Sequence, residues 1–228
     1  CEEAPRIVHE KLRGQKYMAG EAAGVLTKEA ASALQLCPGI PVGMAHTDAH
    51  AAALGVGAAD EGEYVFVMGT SSCGHLLARE KVHVPGVTGA RPDGLIEGFT
   101  CYSAGQASVG DMLEWFVKKA VPADYTQMAQ ESQKNIFQFL EQKAAVKRPG
   151  ECGMVALDWW AGNRSTLVNA DLSGLIMGLR MDSQPEDIYR ALLDSIAFGH
   201  REILDNFSSH ALTARRVVLC GGIANKNR

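Results

Sequence analysis

Short apolar segments bounded by glycine-rich turns are the clearest pattern along this chain of 228 residues. Residues 63–68 and 74–78 are two such segments, and the Gly69–Cys73 stretch between them has the composition of a turn, so we predict a hairpin there. A third extended piece is predicted over 95–100, and a final buried strand over 217–220. The pattern therefore predicts a sheet built from several short strands.

Helical spacing of apolar residues predicts helices between these strands. Over 106–120 the apolar residues recur every three or four positions, and residues 48–57 form an Ala-rich segment typical of a closely packed helix. The charged, Gln-rich stretch 124–147 predicts a peripheral amphipathic helix. Two helix starts are marked by capping residues: Thr27, and the run from Ser183 to Glu186, in which Ser183 is the expected N-cap.

The order of these elements predicts an α/β fold with a mixed sheet and helices on both of its faces, because hairpin strands come first and a strand–glycine–glycine–helix unit comes last. The turn-like run Cys37–Pro41, followed by a short strand predicted to be buried at 42–45, places a domain boundary near residue 36. We expect residues 1–35 to be the end of a first domain and its linker, and residues 36–228 to form a second domain.

Composition narrows the class of protein. The chain has 22 Lys and Arg against 26 Asp and Glu, without a basic run, which argues against nucleic acid as a partner. No apolar stretch approaches the roughly 20 residues that span a bilayer, and the N-terminus has no signal-peptide pattern, so we expect no membrane partner. The six cysteines are widely spaced without a Cys-x-x-Cys pair, which favours free thiols and a cytoplasmic location.

Candidate chemistry lies in three segments. Asp48 stands between His46 and His50, the hairpin turn has the sequence Gly69-Thr70-Ser71-Ser72, and the last strand runs into Gly221-Gly222. A carboxylate base, a hydroxyl-rich turn that holds phosphates and a glycine gap beside a nucleotide are what phosphoryl transfer requires. The set, rather than any one segment, indicates this chemistry.

Each segment also has an alternative interpretation. Asp48 can be a plain helix N-cap, or it can join His46 and His50 as ligands of a metal-dependent hydrolase. The Gly-Thr-Ser-Ser run can be an ordinary hairpin turn, and Gly221-Gly222 can reflect tight strand–helix packing. Neither segment matches the Rossmann or Walker A pattern, so those folds are unsupported. A non-catalytic nucleotide-binding module would keep both glycine segments without needing Asp48.

Longer motifs resemble the FGGY carbohydrate kinases of the actin/hexokinase superfamily and, within that family, the L-ribulokinases. The likeness runs over nearly the whole chain. The matching segments are His46–His50, Met68–Ser72, Val84–Gly86, Ala104–Asp111, Leu157–Arg164, Pro185–Leu192, Ala197–Gly199 and Gly221–Asn227.

The resemblance implies an actin-like ATPase fold of the ribonuclease H-like class, whose sheet is incomplete in this chain. It assigns residues 1–35 to the end of the first, sugar-binding domain and its linker, and 36–228 to the second, nucleotide-side domain, truncated at its C-terminal end. It implies ATP-dependent phosphorylation of a ketopentose, with L-ribulose as the expected sugar, and it implies ATP and Mg²⁺ as cosubstrate and cofactor. Asp48 would be the catalytic base. The sugar would contact Asp48, Ser103 and Gln106, and the nucleotide would contact Gly69, Thr70, Ser71, Gly221, Gly222 and Asn225.

Two departures from the family pattern matter. The Asp-x-Gly-Thr-like phosphate and magnesium motif of the family's first domain does not occur in this chain, so we expect the chain alone to be inactive. Ser103 stands where ribulokinases typically have Glu, which leaves the preferred pentulose open. The sequence also leaves open whether the protein forms a homo-oligomer.

Overall fold

The computed structural model describes residues 10–11, 17 and 20–226 of the chain. Contacts divide the chain into two compact units, Cys1–Thr47 and Asp48–Arg228. In the first unit, strand β1 (Ala22–Val25) pairs antiparallel with β2 (Pro41–Gly43), and helix α1 (Lys28–Leu34) lies between them in sequence. The Thr27 hydroxyl accepts the Ala30 N–H at 3.2 Å, so the predicted N-cap is confirmed.

The division between the units falls later than residue 36 because β2 pairs back onto β1 and so joins the preceding segment. The assignment of residues 1–35 to a sugar-binding domain and linker stays a prediction.

The strands of the second unit are β3 (Glu63–Met68), β4 (Ser72–Ala78), β5 (Gly89–Pro92), β6 (Thr100–Ala104), β7 (Val155–Leu157), β8 (Leu175–Met177) and β9 (Arg216–Cys220). Five of them form one sheet with the order β5-β6-β4-β3-β9. Its β3–β4, β4–β6 and β5–β6 pairs are antiparallel, whereas β3 and β9 are parallel, so the predicted mixed sheet is confirmed. A separate pair is formed by β7 and β8.

Helices cover both faces of this sheet. They are α2 (Asp48–Gly55), α3 (Gly110–Ala120), α4 (Ala123–Glu131), α5 (Ile136–Ala144), α6 (Pro185–Ser209) and the short α7 (Gly222–Lys226). Side chains alternate across a strand, so Tyr64 and Phe66 join the larger core with α3 and α6. Val65 faces the other way and joins a smaller cluster that includes Ala53 of α2.

The predicted strand over 95–100 is wrong. The strand is Thr100–Ala104, and the residues before it form turns in which Gly98 N–H donates to Asp93 Oδ1 at 2.7 Å. Leu95 and Phe99 are nonetheless buried, at 6% and 8% exposure. Their apolar character therefore reflects burial from a turn rather than extended backbone.

Two helix boundaries also differ from the predictions. The stretch 124–147 is two helices, because Gln133 adopts a left-handed conformation (φ 54°) and Asn135 then caps α5 by accepting the Gln138 N–H at 2.9 Å. Helix α6 is capped by Gln184, not Ser183; the Gln184 N–H donates to Asp187 Oδ2 at 2.9 Å, while Ser183 Oγ accepts the Arg180 N–H.

Candidate functional site

The hairpin turn between β3 and β4 is anchored by the start of α3. The Val109 N–H donates to the Thr70 carbonyl at 2.8 Å, and the Gly110 N–H donates to the Gly69 carbonyl at 3.1 Å. Gly69 N–H in turn donates to the Ser71 carbonyl at 2.9 Å. These bonds consume carbonyl oxygens of the turn and orient its backbone before any ligand arrives.

Close backbone approach requires glycine on two sides of this turn. A Cβ on Gly110 would lie 2.7 Å from the Gly69 carbonyl oxygen, and one on Gly221 would lie 2.3 Å from the Met68 carbonyl oxygen. Gly221 also has a φ of +99°, which side chains other than glycine rarely adopt. The turn and the glycine pair after β9 are thus packed together because β9 lies parallel to β3, with Cys220 opposite Val67.

The turn presents unused amide groups. Among the described residues, the Thr70 and Ser71 N–H groups donate to no carbonyl or side chain, and Thr70 is exposed. Successive backbone N–H groups of this kind form a concave site that suits an anion such as a phosphate.

A pocket of about 550 Å³ opens beside the turn, within the range of about 300–1,000 Å³ typical of small-molecule sites. It brings together three of the predicted nucleotide contacts, Gly69, Thr70 and Gly222. The lining residues are Gly69, Thr70, Gly110, Asp111, Leu113, Glu114, Asn135, Phe137, Gln138, Glu141, Tyr189, Gly222 and Ile223.

The other two predicted nucleotide residues on the glycine side do not line this pocket. Gly221 packs against Met68, and the exposed Asn225 donates its N–H to the Gly221 carbonyl at 3.2 Å within α7. The end of the motif, Asn227, lies outside the described residues.

One wall of the pocket was missed by sequence analysis. Helix α5 contributes Phe137, Gln138 and Glu141, although its sequence predicted a peripheral helix. Phe137 is 37% exposed and offers an aromatic face to the pocket, and burial raises the pKa of the Glu141 carboxyl. The capping pair Asn135 and Gln138 was the available signal for the start of this helix, but nothing local pointed to the pocket.

Asp48 lies elsewhere on the unit, as the first residue of α2, and is exposed. Its Oδ1 accepts the Ala49 N–H at 2.8 Å. Helix α2 packs on β3 and β4, and its third residue, His50, stacks on His75 of β4 with ring centroids 4.4 Å apart. Asp48 is therefore an exposed carboxylate on the side of the sheet opposite α3 and α6, and it does not line the 550 Å³ pocket.

The metal hypothesis for His46, Asp48 and His50 needs correction. Within the described residues, the group that could hold a metal is instead His50, His75 and Cys101, and it does not include Asp48.

Ser103 lies on β6, next to the group formed by His50, His75 and Cys101. The register pairs Ser103 with His75, and the Ser103 hydroxyl lies 3.1 Å from His75 Nδ1. Burial and the neighbouring His50 lower the pKa of His75 to about 4, so this imidazole is neutral near pH 7.

Gln106 is buried at 3% exposure and its side-chain amide is used within the protein. Its Nε2 donates to Asp158 Oδ2 at 2.7 Å and to the Ile196 carbonyl at 3.0 Å, while its Oε1 accepts the Ser72 hydroxyl at 3.1 Å. Gln106 therefore holds Ser72, the first residue of β4, in place. Its predicted contact with sugar stays a prediction.

The same network continues through a neutral histidine. Ser72 Oγ lies 2.9 Å from His200 Nε2, and Tyr64 Oη lies 3.0 Å from His200 Nδ1. A neutral ring with its proton on Nε2 satisfies both neighbours, because Tyr64 then donates to Nδ1 and Ser72 accepts from Nε2–H. Burial and, to a smaller extent, the positive charge of Arg164 lower the pKa of His200 to about 3. Burial raises the pKa of Asp158.

The fold is that of solved sugar kinases. A xylulose kinase from Rhodospirillum rubrum superimposes with a TM-score of 0.73 and 22% identity, covering 93% of this chain and 40% of that one. A glycerol kinase from Plasmodium falciparum, solved with ADP, gives 0.68 at 18% identity over 92% of this chain and 40% of that one. The predicted actin-like, ribonuclease H-like class is thereby confirmed.

The model of the FGGY family of carbohydrate kinases, C-terminal domain, matches residues 64–228, and this chain belongs to that family. It is 46% identical over 227 residues to a ribulokinase from Anoxybacillus flavithermus and 38% identical over 221 residues to ribulokinase 2 from Staphylococcus saprophyticus. These matches cover 98% and 97% of the chain, which spans about 40% of the length of the relatives.

Proposed function

We propose that this chain is the nucleotide-side part of an ATP-dependent kinase that phosphorylates a ketopentose. L-ribulose, converted to L-ribulose 5-phosphate as in L-arabinose catabolism, is the proposed substrate because the relatives at 38–46% identity are named ribulokinases. The observation that most supports the proposal is the pocket in which the Gly69–Thr70 turn meets Gly222.

The turn would hold the phosphates of the nucleotide. Its Thr70 and Ser71 amides are unused within the described chain, and their orientation is fixed by Val109 and Gly110. Donors that are oriented before binding lose little freedom when the reaction proceeds, which is why such turns stabilise developing phosphoryl charge. The apolar side of the pocket, with Leu113, Phe137 and Ile223, would take the base and ribose.

Oxygen donors suited to Mg²⁺ line the same pocket, since Asp111 and Thr70 both contribute to it. The residues present therefore fit a magnesium ion that arrives with ATP and neutralises phosphate charge. The magnesium motif of the family's first domain would supply further contacts from outside this chain.

Asp48 would accept the proton of the sugar hydroxyl as it attacks. A hydroxyl is a weak nucleophile, and a positioned base contributes about 10²–10⁴-fold to the rate. Its exposure at the start of α2 leaves the carboxylate accessible to a substrate.

The test has two parts. The purified chain should bind MgADP in a calorimetric titration, and it should not release ADP in a sugar-dependent way. In a full-length protein that contains this sequence, Asp48→Asn should lower kcat by about 10²–10⁴-fold while nucleotide affinity persists. Asn keeps the side-chain oxygen that accepts the Ala49 N–H, so the helix start is preserved.

Asp171→Asn is the matched control, because Asp171 is also exposed and does not line the pocket. Normal turnover of the Asp48 variant would remove Asp48 from the base role. If neither the unsubstituted full-length protein nor its Asp48 variant turns over sugar while MgADP still binds tightly, the results would favour a non-catalytic actin-like nucleotide-binding module.

A further inference from the structure

We propose that His50, His75 and Cys101 form a binding site for Zn²⁺ beneath the first turn of α2. One ring nitrogen of each histidine and the Cys101 sulfur all lie within 4.8 Å of one another. The three ligands come from three different elements, α2, β4 and β6. None of the three ligands lines the nucleotide pocket, whereas His50 is two residues from Asp48 and the predicted sugar contact Ser103 lies beside His75.

The register of the sheet creates the cluster. His75 is opposite Ser103, and Cys101 is two residues along the same strand, so both side chains project from one face. The Cys101 sulfur lies 3.8 Å from His75 Nδ1. Two ligands with ordinary zinc bond lengths and a tetrahedral angle stand about 3.3–3.6 Å apart, so the ligand atoms, which lie within 4.8 Å of one another, must move closer together when an ion binds.

An unsatisfied atom points to a ligand here. His75 is 3% exposed, and its Nε2 is buried with no hydrogen-bond partner in the described structure. A buried polar nitrogen left without a partner is costly, and a metal ion would remove that cost by taking its lone pair. If Nε2 coordinates, the Nδ1–H donates to Ser103 Oγ, which is the outer hydrogen bond that metal-bound histidines usually make.

The donor set selects the ion. Two imidazoles and a thiol suit Zn²⁺ far better than Mg²⁺ or Ca²⁺, which prefer oxygen ligands. Cys101 would lose its proton to solvent as the sulfur–zinc bond forms, and the fourth position would be taken by water. A bound ion would join the helix that begins at Asp48 to the two middle strands of the sheet.

The first experiment is a Co²⁺ titration of the chelator-treated chain, with Co²⁺ as the spectroscopic substitute for Zn²⁺. We expect one equivalent to bind, with visible bands of tetrahedral cobalt and near-ultraviolet absorption from charge transfer between thiolate and metal. Cys101→Ser should abolish the charge-transfer absorption, and His50→Ala should weaken binding at least about tenfold. Cys152→Ser, a half-buried cysteine outside the cluster, should leave both signals unchanged.

Absence of cobalt absorption in the unsubstituted chain, or its persistence in Cys101→Ser, would overturn the proposal. If Cys101→Ser does not fold, the half-buried His50 decides the matter, and unchanged affinity in His50→Ala overturns the site. Thermal unfolding gives a second readout. Free Zn²⁺ at about 100-fold above its Kd should raise Tm by about 5–10 °C in the unsubstituted chain and not in His50→Ala.

Discussion

The two faces of the central sheet are organised differently around their polar groups. On the face covered by α3 and α6, a continuous buried chain of hydrogen bonds joins Tyr64, His200, Ser72 and Gln106, and the Gln106 carbonyl accepts the backbone N–H of Ser72 at the end of the hairpin turn. On the face covered by α2, Asp48 is exposed and accepts a hydrogen bond from the neighbouring Ala49 N–H. Beneath that helix, the polar cluster retains an unsatisfied imidazole nitrogen.

This difference fits two separate demands that the proposed phosphoryl transfer would make. The groups that hold the phosphates act best when they are fixed in advance, because reorientation during the reaction costs energy. A base must remain accessible to a second substrate that arrives from solution. The rigid face therefore suits the nucleotide, and the open helix start suits the sugar.

Gly221→Ala tests how firmly the turn is packed, and we expect it to have the largest effect on stability. The added methyl group would lie 2.3 Å from the Met68 carbonyl oxygen, at a φ of +99°. Strain and overpacking together should reduce the free energy of unfolding by about 2–5 kcal/mol, measured by urea denaturation.

Gly222→Ala is the matched control for this change. A Cβ at Gly222 meets no atom within 4 Å and the residue begins α7, so stability should be nearly unchanged. Equal effects of the two substitutions would contradict the proposed packing between the glycine pair and the turn.

The parts of the fold that depend on neighbouring residues are predictable from the sequence. Thr27 caps α1, and residues 63–68 form one hairpin strand, because a turn or cap is determined within a few positions. The extent of β6, Thr100–Ala104, is not predictable in this way. Leu95 and Phe99 precede the strand and are apolar because they are buried by tertiary packing.

The residues of the candidate site differ in the same way: some have a local sequence signal and others do not. The Gly69–Thr70 turn has a local composition that predicts phosphate binding, and the structure places the turn in a pocket. Phe137 has no such signal, since its position beside the turn arises only when α5 packs on α6. His75 and Cys101 are likewise 26 residues apart in the chain and meet only through strand register.

One buried histidine on each face allows the two faces to be compared by acid titration. The pKa is lowered to about 4 for His75 and to about 3 for His200, against 6.5 for an ordinary imidazole. Between about pH 4 and pH 6.5, both rings are therefore neutral in the folded protein, whereas the same two histidines each bind a proton in the unfolded chain. Stability is full above about pH 6.5 and should fall as the pH drops towards 4, by about 2.7 kcal/mol per pH unit from these two groups.

His75→Gln and His200→Gln should each reduce this slope by about 1.4 kcal/mol per pH unit, measured by denaturation at a series of pH values with a chelator present. Comparison of slopes, rather than of absolute stabilities, separates titration from the lost hydrogen bonds. His83→Gln, at an exposed position, controls for removing a surface histidine. An unchanged slope in either variant would show that the corresponding imidazole is protonated in the folded state as readily as in the unfolded chain.

Phe137→Ala sharpens the comparison at the pocket itself, with the smallest expected effect. The ring is 37% exposed in the wall formed by α5, where it can stack on a nucleotide base. Loss of an aromatic contact of this kind should cost about 0.5–1.5 kcal/mol, which is about 2–12-fold in the Kd for MgADP measured by calorimetry. Phe198→Ala, 62% exposed on α6 and absent from the pocket lining, should bind normally. If both variants bind MgADP like the unsubstituted chain, the nucleotide base does not lie against α5. Contacts with the Gly69–Thr70 turn alone would then account for binding.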